Sequence, residues 1–412
     1  MTKEIWYAKQ HQLKIASEAL PILKKHLMVY LAMEERTGKS ITAIRITEAC
    51  NNVSNVLIIT TKKALNGWFE TLEKHPHTNI YTCINYESVH KISGKVDLVI
   101  LDESHKFISG YPKTSIIWQK VKNFTLNKPI IYCSATPYAQ GTQMLFHQFA
   151  LSKWSPWKRY SNFYDWYRDY SVRKANGELF TKKITASESI VDYTKVNHNK
   201  VKSDCKHLFI SYTREELGFE HEPNDVLHYI TLSKNLKDIY NTIVTKKVLH
   251  FSHAETSKDY TLVCDTPAKL RATLHMLEGG VLKVGDEYLN LGFNEKVDFI
   301  LNKWGDSKNL VIMYYFKADK IKLEKYFKNA TILHAQTNAE GVDLSTYKDL
   351  VIYTQNHSTA QHTQRRARQA NMNRKEEINV NYLLVKGAAS AKAYKTVSVN
   401  KENFVDTVFE VI

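Results

Sequence analysis

Glycine and proline are scarce in this chain, 14 and 8 in 412 residues, well below ordinary usage. No Gly-rich or Pro-rich linker therefore marks a domain boundary. Cysteine is nearly as sparse: Cys50, Cys83, Cys133, Cys205 and Cys264 are widely spaced, odd in number and include no Cys-x-x-Cys pair. That pattern excludes a sequence-local zinc site and a disulfide framework, and it predicts buried thiols in a reducing compartment. No apolar run approaches the roughly 18 residues of a membrane span. The N-terminus carries Lys3 and Glu4 where a secretory leader would place its apolar core, so a cytoplasmic protein with no membrane partner is expected. No internal repeat of short period is visible.

What is present points to a folded, basic, multidomain chain. Hydrophobic residues make up 43% of the sequence, in regular runs that argue against disorder, and the length exceeds one ordinary core. A net charge of +15 favours a polyanionic partner. A general lysine bias would produce the same charge, since Lys, Asn and Ile are frequent throughout.

The residues most suggestive of chemistry are Thr37-Gly38-Lys39-Ser40, which follow an apolar run and open a helix-like segment. In a phosphate-binding loop the glycine lets backbone N–H groups close on phosphate oxygens, the lysine reaches the terminal phosphates, and the serine hydroxyl meets Mg²⁺. Met33 stands where such a loop usually carries its first glycine, and in a lysine-rich chain an ordinary helix start would look similar. Downstream, the buried-strand pattern Val96 to Leu101 runs into Asp102-Glu103-Ser104-His105. Two adjacent carboxylates at the end of a buried strand are costly unless they bind something. The first suits Mg²⁺ and the second suits a general base. A further short strand ends in Ser134-Ala135-Thr136-Pro137. Far from these, Gln361, Arg365 and Arg368 are spaced to share a helix face. Only 11 arginines occur in the chain and four of them fall between Arg365 and Arg374, a local choice of the residue suited to bidentate phosphate contact.

In their order, these four stretches resemble motifs I, II, III and VI of superfamily 2 helicases and translocases, in the Swi/Snf branch and particularly its compact phage-type members. Val56 to Thr61 with Lys62, Lys63 and Trp68 resembles motif Ia, Leu310 to Phe316 motif IV, and Thr337 to Leu344 motif V; Leu383 to Tyr394 resembles the segment after motif VI. The resemblance implies ATP and Mg²⁺ as cofactors and assigns roles residue by residue. Gln12 would read adenine. Thr37, Gly38, Lys39 and Ser40 would hold phosphates, joined by Gly341 and Asp343 of motif V. Ser40 and Asp102 would carry Mg²⁺, and Glu103 would activate water. Ser134 and Thr136 would couple the nucleotide state to movement. Gln361, Arg365 and Arg368 would act at the γ-phosphate. Three positions depart from the pattern: Arg36 replaces a common glycine, Glu340 brings an acid into motif V, and Arg368 is followed by Gln369-Ala370.

The fold class expected is α/β, with two RecA-like P-loop NTPase lobes built on parallel sheets and a largely helical insertion. Apolar runs near 27, 56, 96 and 130 place the ATP-binding lobe at 1–150, and a second series at Leu310, Thr331, Leu350 and Ile378 places the helicase lobe at 226–412. His228 to Leu232 with Leu236 to Tyr240 resembles the strand and helix that open that second lobe, and a helix followed by a hairpin turning at Gly285-Asp286 is expected within it. Between the lobes, 151–225 crowds Trp154, Trp157, Tyr160, Phe163, Tyr164, Trp166, Tyr167 and Tyr170 among Lys158, Arg159 and Arg168. Such interleaving could stack bases and hold phosphates, but Tyr160, Phe163, Tyr164 and Tyr167 follow helical spacing, which favours packing on the first lobe.

The function expected is ATP-driven translocation on nucleic acid, DNA rather than RNA and duplex by family branch. The protein is expected to be a monomer or to be recruited by replication, recombination or repair proteins. An ATP-gated DNA clamp with little turnover and an RNA helicase are the alternatives.

Overall fold

In the computed structural model, residues 5–138, 141–183, 188–253, 256–335, 344–355, 359–370 and 374–409 are described, with backbone alone at 359–361 and 400–409. The chain divides into two compact units, the first running to Gly218 and the second from Phe219 to Asn403.

The first unit is built on five parallel strands: β1 (Met28–Met33), β2 (Asn55–Thr60), β3 (Ile80–Asn85), β4 (Leu98–Asp102) and β5 (Ile130–Cys133). A hairpin of β6 (Thr181–Lys183) and β7 (Ser189–Val191) follows, and then β8 (Phe209–Tyr212). The main sheet runs β3-β2-β4-β5-β1-β8, and every neighbouring pair in it is parallel. All six residues of β1 are buried, as a central strand covered on both faces requires. At the edge, β3 leaves Ile80 exposed and buries none of its residues fully. The strand order sets β5 between β1 and β4. The loops leaving the C-terminal ends of these three strands are therefore neighbours, the place where parallel sheets bind ligands.

The aromatic segment belongs to this unit. Trp157, Phe163, Trp166, Tyr167 and Tyr170 are buried in the same core as Tyr30, Tyr132 and Phe149 on one face of the sheet. Asn162 caps helix Phe163–Tyr170 by accepting from Asp165 N at 3.0 Å. Packing therefore accounts for most of these rings. Alongside that helix and His198–Cys205 the segment also carries strands, and β8 extends the main sheet beside β1. The aromatic spacing did not predict β8, because all four of its residues are only half-buried.

The second unit opens with β9 (Pro223–Tyr229) and continues through hairpin β10 (Val248–His253) and β11 (Lys258–Val263), helix Pro267–Leu277, and hairpin β12 (Val281–Val284) and β13 (Glu287–Asn290). Gly285 makes the last turn at φ +58°. β14 (Leu310–Tyr314), β15 (Thr331–His334), β16 (Asp349–Ile352) and β17 (Ile378–Leu384) complete a sheet of order β15-β14-β16-β17-β9, again wholly parallel. Both units thus have the parallel α/β architecture of RecA-like lobes.

Candidate functional site

The candidate phosphate loop leaves β1 at Glu34 and enters helix Lys39–Glu48. Gly38 turns the chain at φ +87°, and a Cβ built there would lie 1.9 Å from Gln12 Nε2. Only glycine supplies both the left-handed conformation and the clearance. Gln12 is itself buried, and its amide lies 3.5 Å from Gly38 O while its Oε1 accepts from Lys9 N at 2.8 Å. His11 Nε2 lies 3.1 Å from Thr37 O. The helix ahead of β1, Gln10–His26, therefore sets the outer wall of the loop. Lys39 Nζ donates to Met33 O at 3.0 Å and to Glu34 O at 2.9 Å, so its ammonium lies across the mouth of the loop. Met33 ends β1 and contributes its carbonyl to Lys39. Arg36 has φ +67°, a conformation that costs a side-chain-bearing residue roughly 1 kcal/mol.

Asp102 closes β4. Thr60 Oγ1 donates to its Oδ2 at 2.7 Å and Trp68 Nε1 at 2.9 Å, and Tyr86 OH donates to its main-chain oxygen at 2.9 Å. Burial, reinforced by the Glu103 charge next door, pushes the Asp102 carboxyl above the ordinary aspartate range despite those bonds and Lys39. Glu103 sits at φ +51°. Burial would raise it too, but Lys106 at 3.1 Å, His105 at 3.9 Å and Lys39 outweigh burial and hold it well below the ordinary glutamate range. The two adjacent acids are driven apart: one is easily protonated, the other firmly ionised. Sequence reading gave Trp68 no connection to Asp102 and missed Thr60, because both bonds span more than thirty residues.

One imidazole ties the acidic turn to the hydroxyl pair. His105 Nδ1 lies 2.9 Å from Ser134 Oγ and Nε2 3.2 Å from Thr136 Oγ1, while Thr136 N donates to Ser134 Oγ at 3.0 Å. All three side chains are buried. Each hydroxyl thus has its partner fixed by the residue three positions after Asp102.

A residue not singled out from the sequence holds the other side of the phosphate loop. Arg214, two residues beyond β8, is 4% exposed. Its guanidinium lies 3.8 Å from Glu34 and 3.6 Å from Glu35, and the Arg214 main-chain N–H donates to Glu34 Oε2 at 2.7 Å. The signal was the Glu34-Glu35 pair itself, which requires a cation when brought indoors.

In the second unit, Arg365 is fully buried in helix Thr359–Arg366 and donates from Nη2 to Gln355 Oε1 at 2.9 Å. Burial lowers it to about 10, so it stays charged near neutrality. Arg368 lies beyond that helix, in the 3₁₀ turn Ala367–Gln369. The continuous helix face expected for Gln361, Arg365 and Arg368 is thus interrupted by a tighter final turn, where residues eclipse every third position. The Gln361 backbone belongs to the same helix. Gly341 and Asp343 lie outside the described residues.

The residues fit a Mg²⁺–nucleotide. Gly38 provides a cradle that a Cβ would fill, the ten-residue helix Lys39–Glu48 presents free N–H groups at its start, and Ser40 and Asp102 offer the hard oxygen donors Mg²⁺ prefers. Among the described residues no group of three or more His, Cys, Asp or Glu could hold a metal ion.

A glycine-turned loop after the first strand of a parallel sheet of this order is the architecture of a RecA-like lobe. No family model and no curated protein matches the chain. Among solved structures, it is similar to the Sulfolobus solfataricus SWI2/SNF2 ATPase core in complex with dsDNA, at 13% identity and a TM-score of 0.43, over 100% of this chain and 96% of that one. The strand orders, not that distant likeness, define the fold. No described helix is long and apolar enough to cross a membrane.

Proposed function

We propose that the protein is an ATP hydrolase that translocates on nucleic acid, with duplex DNA as its expected track. The observation that supports this most is one unit bringing together a glycine-turned phosphate loop, a split acidic pair, and two hydroxyls tied to that pair through His105. Gln12 would recognise the adenine edge, and Thr37, Gly38 and the start of helix Lys39–Glu48 would donate N–H groups to phosphate oxygens. Lys39 would exchange its carbonyl partners for the terminal phosphates. Mg²⁺, held by Ser40 and Asp102, would neutralise phosphate charge when bound. Glu103, firmly ionised, would orient the attacking water through a hydrogen bond and accept its proton late. Gln361, Arg365 and Arg368 would complete the site at the γ-phosphate, and Gly341 and Asp343 would contact the nucleotide from motif V. Loss of the γ-phosphate would then be relayed from the acidic turn through Ser134 and Thr136.

In this reading the motif order resembles that of compact phage-type Swi/Snf-like motors. The ATP-gated clamp is favoured by one observation: the Lys106 ion pair lowers the basicity of Glu103.

Binding of a fluorescent ATP analogue with and without Mg²⁺ tests the site. Lys39→Ala is expected to weaken binding at least tenfold. Asp102→Asn should abolish only the Mg²⁺-dependent part, and wild-type Mg²⁺ dependence should weaken in mild acid, because the raised Asp102 carboxyl protonates early. Equal binding by all three proteins would refute the assignment.

A further inference from the structure

Four lysines converge on one open cavity of the first unit, away from the phosphate loop. The cavity has a volume of 790 Å³ and is lined by Lys113, Lys122, Lys153 and Lys158 with no carboxylate among its lining residues. Three separate stretches build it: the loop after the acidic turn, helix Ile116–Thr125, and the run from helix Leu145–Phe149 into the start of the aromatic segment. Hydrogen bonds fix the last two together. Trp118 Nε1 donates to His147 O at 2.7 Å, Thr125 Oγ1 to Leu151 O at 3.1 Å, and Lys153 N to Leu126 O at 3.1 Å. The walls are therefore part of the fold.

The lysines have no acidic partner among the described residues. Lys122 Nζ lies 4.6 Å from the Trp118 ring centroid and Lys153 Nζ 4.7 Å from that of Trp154, positions that hold an ammonium without neutralising it. The nearby carboxylates are engaged elsewhere: Asp165 with Arg168, and Asp169 with Tyr160. Lys122 is half-buried and its acidity is increased by desolvation alone, a cost that an anion in the cavity would relieve. The rim adds Tyr164, 43% exposed, an aromatic surface that a small inorganic anion would not need.

We infer that this cavity is a phosphodiester-binding site, a second point at which the first unit holds a nucleic-acid backbone, with Lys113, Lys122, Lys153 and Lys158 pairing with its phosphates. The inference rests on the nucleic-acid reading above and adds to it a position that none of the helicase-like motifs supplies. Most rings of the aromatic segment pack inward, so its contribution to binding comes from the lysines around it.

The test measures binding of a short fluorescent DNA duplex and its single strand across a salt series. It compares wild type, a variant with Lys113→Gln, Lys122→Gln, Lys153→Gln and Lys158→Gln, and a control neutralising Lys24, Lys25, Lys91 and Lys95. Removing one lysine–phosphate pairing lowers the slope of log affinity against log salt by about 0.9 for duplex and about 0.7 for single strand. The expected result is a slope reduced by roughly 3 in the cavity variant for at least one polymer, a lesser effect in the control, and unchanged affinity for the ATP analogue in both. A triple variant retaining Lys122 should show about three quarters of the effect and guards against a folding defect. If wild type binds DNA and the cavity variant matches the control, this inference fails while the nucleic-acid reading stands. If wild type binds neither polymer at low salt, both fail.

Discussion

Ser134 Oγ lies 2.9 Å from His105 Nδ1, with both side chains buried. That bond joins the turn carrying the acidic pair to the loop after the neighbouring strand. Any shift of the acids therefore reaches the hydroxyls through one rigid ring. Replacing His105 by Ala leaves the Ser134 and Thr136 hydroxyls without that partner, at about 1–3 kcal/mol each. His105→Ala should keep ATP-analogue affinity within a few-fold and lose about tenfold or more of any stimulation of hydrolysis by nucleic acid. An unaltered stimulation ratio would show that the ring is not the link.

Arg214 pairs with both Glu34 and Glu35 at the entrance to the phosphate loop. Arg214→Ala leaves two poorly solvated carboxylates without this cation, a change that costs roughly 3–5 kcal/mol when a buried pair is broken. The variant should unfold at lower temperature and bind the ATP analogue more weakly. Adding Glu34→Gln and Glu35→Gln should recover much of the lost stability, because it removes the uncompensated charges. Additive effects of the three changes, read by thermal denaturation, would rule out this coupling.

Lys106 holds Glu103 ionised far into acid. A carboxylate lowered in the fold contributes stability that is present above its ordinary range and is lost as pH falls through its folded value. In Lys106→Met, burial is left with less opposition, so Glu103 becomes a stronger base. The acid limb of kcat/KM should move to higher pH, a shift visible in a pH–rate profile. An acid limb that stays in place would mean that Glu103 is not the group read by that limb.

Much of this site is local in sequence and so was legible there. The phosphate loop, the acidic pair and Ser134 with Thr136 each sit at the end of a short apolar strand, and β1, β4 and β5 announce themselves by near-continuous burial. What escaped depends on distant partners. Arg214 reaches Glu34 across 180 residues, Trp68 meets Asp102 from helix Leu65–Lys74, and β8 lacks the apolar pattern of β1 beside it. β3 also went unread, because an edge strand need bury only part of one face. The lysine cavity is assembled from three stretches whose charges look unremarkable one at a time in a basic chain.

Steady-state ATP hydrolysis with and without duplex DNA, single-stranded DNA and RNA at low salt tests the motor reading, with Lys39→Ala and Glu103→Gln as controls. A DNA motor should show turnover stimulated strongly by duplex DNA and lost in both variants. ATP binding without turnover in the presence of every polymer would contradict it and leave the ATP-gated clamp.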